Sequence, residues 1–139
     1  MFDFFGLKKK SKKTKILVVD DEPNIVQTLK DRLEMNDFEV TVAYNGSDGL
    51  KIAEQEKPEV ILLDVIMPVM NGLEMLEVLR QRPWGKSVSV IMLTARSQTQ
   101  DMARASACTI DDYIVKPFDL SELLEKIEGL LEQRKVLIS

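Results

Sequence analysis

The residue pattern predicts a doubly wound α/β fold: five parallel strands with helices on both faces of the sheet. Two observations carry that expectation. Short apolar runs rich in β-branched residues alternate with longer amphipathic stretches. The runs also lack the polar alternation of a half-exposed strand, so they read as strands covered on both sides. A third observation sets the scale. The chain has 139 residues, 45% of them apolar and 30% charged, which suits one ordinary globular domain with a core of its own.

The first run is Ile16–Val19, followed by a helical pattern with Ile25, Leu29 and Leu33 four apart. Val40–Ala43 comes next, and then a second helix marked by Leu50 and Ala53. Val60–Leu63 leads to a third helix on Leu73, Leu76 and Leu79. Val88–Leu93 precedes Gln98–Cys108, where Met102 and small residues give the weakest helical stripe. Tyr113–Val115 leads into a long final helix on Leu120, Leu123, Leu124, Ile127, Leu130 and Leu131. Five strand–helix repeats predict a parallel sheet, and the flavodoxin-like order 2-1-3-4-5 is the natural one for five strands. Residues 1–14 stand outside the pattern as an extension, leaving 15–139 as the domain.

Composition narrows the chemistry. There is no histidine, so no Ser-His-Asp or Cys-His unit and no phosphohistidine can belong to this chain. One cysteine, Cys108, excludes an internal disulfide framework and fits a reducing cytoplasm. The net charge of −4 is unevenly spread. Residues 1–15 hold six lysines and one acid, while the rest has 13 basic and 22 acidic residues. An acidic body argues against direct DNA binding. Neither a G-x-G-x-x-G nor a G-K-[ST] loop follows any strand.

In such a sheet, ligands bind beyond the carboxyl ends of the strands. The residues there are Asp20 and Asp21 after the first run, Asp64 after the third, Thr94 after the fourth, and Lys116-Pro117 after the fifth. Strands 1, 3, 4 and 5 are consecutive in the expected order, so one pocket can gather all of these groups. Each pair of carboxylates about 4 Å apart costs roughly 1 kcal/mol in water and about 4 at surface-like dielectric. A hard divalent cation relieves that repulsion, and Mg²⁺ suits a few oxygen ligands plus water. A carboxylate beside a cation, a lysine and a hydroxyl can accept a phosphoryl group as nucleophile.

Four motifs in order carry a family resemblance: Val18-Val19-Asp20-Asp21-Glu22-Pro23; Leu62-Leu63-Asp64 through Met67-Pro68-Val69-Met70-Asn71-Gly72; Leu93-Thr94-Ala95; and Asp111-Asp112-Tyr113-Ile114-Val115-Lys116-Pro117-Phe118. Asp64 to Thr94 is 30 residues and Thr94 to Lys116 is 22. The chain resembles bacterial two-component response-regulator receiver domains, chemotaxis-regulator-like, over about residues 15–135. The resemblance implies that Asp64 is the phosphoacceptor. Asp20, Asp21, Asp64 and the backbone carbonyl of Ile66 would hold Mg²⁺, with Mn²⁺ able to substitute. Thr94 and Lys116 would contact the phosphoryl oxygens, Tyr113 would be an aromatic switch coupled to Thr94, and Lys116-Pro117 would be a cis peptide. It also implies a donor, a sensor histidine kinase or histidine phosphotransfer protein, and an output by protein–protein contact. The domain is then a signalling switch that catalyses its own phosphorylation and dephosphorylation, not an enzyme in the usual sense. With about 20 residues after Phe118, the chain reads as stand-alone.

Departures from the family pattern fall elsewhere. Thr109-Ile110 replaces the usual Gly-Ala, removing the glycine suited to a left-handed helix cap, and Ser106 stands where an apolar residue is usual. Ile66 and Arg96, two positions after Asp64 and Thr94, offer no base for water. They point to a long-lived phosphoryl group. A haloacid-dehalogenase-type phosphohydrolase would need an acid at Ile66. A constitutive scaffold would not need all five chemical residues. The segment 1–13, with Phe2, Phe4, Phe5 and Leu7 ahead of a lysine cluster, is too short to span a bilayer. It reads as a solvated extension, the alternative being weak contact with an acidic membrane or a partner.

Overall fold

The computed structural model describes residues 12–95 and 110–138. Its five strands are β1 (Lys15–Val19), β2 (Glu39–Ala43), β3 (Val60–Asp64), β4 (Ser89–Ala95) and β5 (Asp112–Lys116). All pair in parallel in the order β2-β1-β3-β4-β5. The described helices are α1 (Pro23–Met35), α2 (Gly46–Glu56), α3 (Gly72–Gln81) and α4 (Leu120–Ile138). The helix expected over Gln98–Cys108 lies outside the described residues, as do Arg96, Ser106 and Thr109.

Period-2 geometry explains why the strand runs show no polar alternation. Leu17, Val19, Ile61, Leu63, Val90 and Met92 face α2 and α3, packing on Leu73, Met75, Leu76 and Leu79. Ile16, Val18, Val60, Leu62, Ile91 and Leu93 face the opposite way, onto Val26, Leu29 and Leu33 of α1 and Leu123, Ile127 and Leu130 of α4. Each such side chain contributes about 1.5–3 kcal/mol when fully buried, so both faces of the central strands must be apolar. The edge strands differ. On β5, Tyr113 is exposed and only Ile114 is buried, because an edge strand is covered on fewer sides. On α1 the buried stripe is Val26, Leu29 and Leu33, with Ile25 at its margin. Ile110, one of the two departures before β5, packs against the α2/α3 side of the core.

Helix starts follow local chemistry. Pro23 opens α1, Asn45 caps α2 by accepting from Asp48 N at 2.8 Å, and Asn71 and Glu74 form a reciprocal capping box on α3. Each start sits at the carboxyl rim of the sheet, so the βα loops converge there. No helix among the described residues is long and apolar enough to cross a membrane.

Candidate functional site

Asp20 follows β1 and is fully buried, which only partners make tolerable. One carboxylate oxygen accepts the backbone N–H of Glu22 at 3.0 Å, and the other accepts Lys116 Nζ at 2.8 Å. The same ammonium lies 3.4 Å from Asp64 Oδ1 and 4.0 Å from Glu22 Oε1. Asp21 is exposed, yet one oxygen each from Asp20, Asp21 and Asp64 lies within 4.8 Å of the others. Three acids sharing one lysine leave negative charge uncompensated. A set of hard oxygen donors with a charge deficit fits a small divalent cation.

The electrostatics record this crowding. Burial pushes the Asp64 carboxyl up from 3.8 to about 6, Asp20 and Asp21 push the same way, and Lys116 only partly offsets them. Burial pulls the Lys116 ammonium down. The hydrogen bond to Asp20 and the charges of Asp64 and Asp20 outweigh that pull, so its pKa is raised. Lys116 is therefore held as a cation where a phosphoryl group would need one.

A cavity of about 270 Å³ opens over these groups, lined by Asp21, Glu22, Asp64, Ile66, Ala95 and Lys116. Ile66 is 57% exposed at its mouth. Thr94 ends up on the same rim, but it is buried and its hydroxyl donates to the Ala95 carbonyl at 3.1 Å. Tyr113 sits outside this cavity, 43% exposed, in a second one lined in part by Glu122 and Lys126. Lys116-Pro117 is cis. The position expected to act with Ile66, Arg96, lies outside the described residues.

Gly72, which ends the second motif, has a structural role of its own. Its N–H donates to Val65 O at 2.8 Å, and a Cβ there would lie 2.0 Å from Asp64 O. Only a residue without a side chain lets α3 begin against the backbone of Asp64. Gly46, at the start of α2, donates to Met70 O at 2.9 Å, and its Cβ would lie 2.5 Å from that oxygen. Between these two contacts the β3–α3 loop carries Val69, exposed and left-handed at φ 72°. That conformation is costly for a β-branched residue. Spacing alone could have flagged a glycine eight residues after Asp64, but not the backbone contact that requires it.

Residues 16–128 match the family model described as the response regulator receiver domain. Response regulator ArlR from Staphylococcus saprophyticus is 39% identical over 121 residues, which is 87% of this chain and 54% of that protein. The chain thus spans about half the length of the curated relatives it matches. Among solved structures, Vibrio cholerae chemotaxis protein CheY4 superposes with TM-score 0.81 at 30% identity, covering 86% of this chain and 99% of that one. A CheY-like receiver domain protein from Methanospirillum hungatei gives TM-score 0.82 at 34% identity, covering 89% and 98%. The receiver domain of sensor histidine kinase PA1611 from Pseudomonas aeruginosa, solved with magnesium in its active-site cleft, gives 0.80 at 26%, covering 87% and 99%.

Proposed function

This chain belongs to the response-regulator receiver family, and on that premise we propose that it accepts a phosphoryl group on Asp64 in a Mg²⁺-dependent reaction. The observation that carries the reading is Lys116 spanning Asp20 and Asp64, with Asp21 in the same cluster. Asp20, Asp21, Asp64 and the Ile66 carbonyl would hold the ion, as the magnesium in the PA1611 cleft suggests. When bound, a divalent cation neutralises the acids and draws charge from phosphoryl oxygens. An Asp64 oxygen attacks phosphorus of a partner's phosphohistidine. The P–N bond breaks, the imidazole nitrogen leaves with the electron pair, and Asp64 becomes an acyl phosphate. Lys116 pairs with a phosphoryl oxygen. The Thr94 hydroxyl turns from Ala95 O to donate to another, and Tyr113 rotates inward as Thr94 moves.

Residues 15–139 form the receiver unit in this reading, and its output is contact with another protein. The donor is a sensor histidine kinase or a histidine phosphotransfer protein, and a chain with one cysteine, which can form no internal disulfide, suits a reducing cytoplasm. The reading is tested by incubating the protein with a small acyl phosphate, with Mg²⁺ or with chelator. Intact mass should show one added phosphoryl group with Mg²⁺ and none with chelator. Equal uptake in both would overturn the Mg²⁺ dependence, and no uptake in either would overturn the function.

The phosphoryl lifetime follows from Ile66. Its side chain stands at the cavity mouth, offers no hydrogen bond to water and shields the acyl phosphate. Arg96, two residues after Thr94, supplies a guanidinium suited to phosphate and no base. The phosphorylated protein should persist for minutes or longer after donor removal. Ile66→Asn and Arg96→Glu should each shorten that lifetime by about tenfold, which is about 1.4 kcal/mol of barrier. Decay within seconds in the wild type, or no acceleration in the double variant, would refute this role.

A further inference from the structure

Glu22 precedes the first turn of α1 and lines the Asp64 cavity. Its backbone is fixed there: the N–H donates to Asp20 Oδ1 at 3.0 Å, and the carbonyl accepts from Val26 N at 3.0 Å. Its side chain makes no cap hydrogen bond, the service that a short polar residue performs at this position. The carboxylate instead stands 61% exposed, with Oε1 4.0 Å from Lys116 Nζ, too far for a hydrogen bond. Asp20 and Asp64 are closer to that ammonium, at 2.8 and 3.4 Å, so Lys116 offsets them first. Glu22 is a carboxylate anchored by its backbone and open to solvent at its tip.

We propose that Glu22 selects the phosphodonor. It accepts a hydrogen bond from a protonated nitrogen leaving group and so favours phosphohistidine and other P–N donors over acyl phosphates. The inference rests on the Asp64 function proposed above and names the donors which that site prefers.

The first argument is position. Asp64 is buried, and in-line displacement puts the leaving atom on the far side of phosphorus from it, toward solvent. Glu22 stands at that opening. It lines both the Asp64 cavity and a larger groove of about 550 Å³ beside it, which shares Lys116 as well. The second argument is reach. Asp64 Oδ1 and Glu22 Oε1 lie 3.4 and 4.0 Å from the same ammonium, and these two contacts limit the span between them. An attacking oxygen, phosphorus, a leaving nitrogen and an oxygen hydrogen-bonded to it need about 7 Å end to end. An exposed glutamate can also follow the N–H of an imidazole, one ring atom further out. The third argument is charge. Of the three acids lining the cavity, Asp64 is the nucleophile and Asp21 a ligand of the cation in this reading, which leaves Glu22 for the donor.

A phosphohistidine protonated on its second ring nitrogen is an imidazolium. Asp64 attacks phosphorus, the P–N bond breaks, its electron pair stays on nitrogen, and the ring leaves as neutral imidazole with its proton retained. Glu22 accepts that N–H and takes no proton. The charge-assisted hydrogen bond favours the protonated donor, whose nitrogen can leave without becoming an anion. An acyl phosphate breaks a P–O bond instead and sheds a carboxylate, whose negative charge Glu22 repels.

The test is the initial rate of phosphoryl uptake at saturating Mg²⁺, read by intact mass with phosphoramidate and with acetyl phosphate. Phosphoramidate has a protonated leaving nitrogen, and acetyl phosphate has a leaving oxygen. Glu22→Gln should slow uptake from phosphoramidate about fivefold and quicken uptake from acetyl phosphate about twofold, the scale of one exposed charge. Glu22→Lys should move both rates further in the same directions. Raising salt should carry the wild-type ratio of the two rates toward that of Glu22→Gln. Damage to the fold or to cation binding slows both donors alike, so the ratio isolates the role. Uptake from both donors with an unchanged ratio in Glu22→Gln, or a wild-type ratio indifferent to salt, would overturn the role of Glu22 and leave the Asp64 assignment standing. No uptake by the wild type from either donor would overturn both.

Discussion

Asp64→Asn is expected to take up no phosphoryl group and yet to be the more stable protein at neutral pH. The first half follows from chemistry, since an amide oxygen is a poor nucleophile and cannot form the acyl phosphate. The second half follows from burial. In the folded protein the Asp64 carboxyl titrates at about 6, against an ordinary value of 3.8, with burial the largest cause and Asp20 the next. A raised carboxyl means that the folded state binds more protons than the unfolded one between those values. Its contribution to stability is complete below the unfolded pKa and is lost as pH rises through the folded one. A shift of about two units corresponds to roughly 2–3 kcal/mol. Asparagine does not titrate. In chelator, the stability advantage of Asp64→Asn over the wild type should therefore grow by about 2 kcal/mol from pH 4 to pH 7.5. Mg²⁺ should narrow it by binding the wild type more tightly. Denaturant unfolding at the two pH values measures this, and a pH-independent difference would show that Asp64 is not held in a charge-hostile site.

Gly72→Ala should destabilise the protein and slow phosphoryl uptake together. A Cβ at position 72 would meet Asp64 O at 2.0 Å, Asp64 C at 2.9 Å and Val65 Cα at 3.1 Å. All three are backbone atoms, so no side-chain rotation relieves the clash. Either α3 moves off β3 and loses the Gly72 N–H to Val65 O bond, or the Asp64 peptide shifts. Overpacking costs about 1–3 kcal/mol, and the intrinsic helical gain of alanine over glycine, about 1 kcal/mol, opposes it. The net expectation is a loss of up to about 2 kcal/mol. A displacement approaching 1 Å at the nucleophile is worth up to about a hundredfold in rate. Gly129 is the control. It lies within α4 with nothing within 4 Å of its built Cβ, so Gly129→Ala should stabilise by about 0.5–1 kcal/mol and leave uptake unchanged. Thermal unfolding and single-turnover uptake of the two variants would decide. A Gly72→Ala protein as stable and as fast as the wild type would mean that the loop contact does not position Asp64.

The pair of substitutions also marks what the sequence could and could not disclose. Strands buried on two faces must be apolar throughout, so β1, β3 and β4 were legible from composition, and with them the residues that follow at the rim. Asp20, Asp64 and Lys116 could be placed together from the sequence because strand ends are where a parallel sheet exposes its chemistry. Gly72 could not be read this way, because a glycine that avoids a backbone contact looks the same in sequence as one that completes a turn. Thr94 was placed correctly on the rim, but its present bond to the Ala95 carbonyl depends on a rotamer that no spacing encodes. Tyr113 read as part of an apolar run, and its exposure follows from β5 being an edge. Ile25 was assigned to the buried stripe of α1, where Val26 carries the burial. A one-residue rotation of a helical stripe is invisible when both neighbours are apolar.

The two bonds of Lys116 have a meaning for how the domain comes together. Its partners Asp20 and Asp64 lie 96 and 52 residues back along the chain, and Lys116 closes the last strand. Until β5 docks on β4, the acids at the ends of β1 and β3 face one another with no cation from this cluster. No local fragment can rehearse the balanced site; it exists only once the sheet is whole. The same wiring runs in reverse. If the β5 edge opens, Asp20 and Asp64 lose their shared ammonium in the same event, so the integrity of the far edge is reported at the nucleophile without any rearrangement in between.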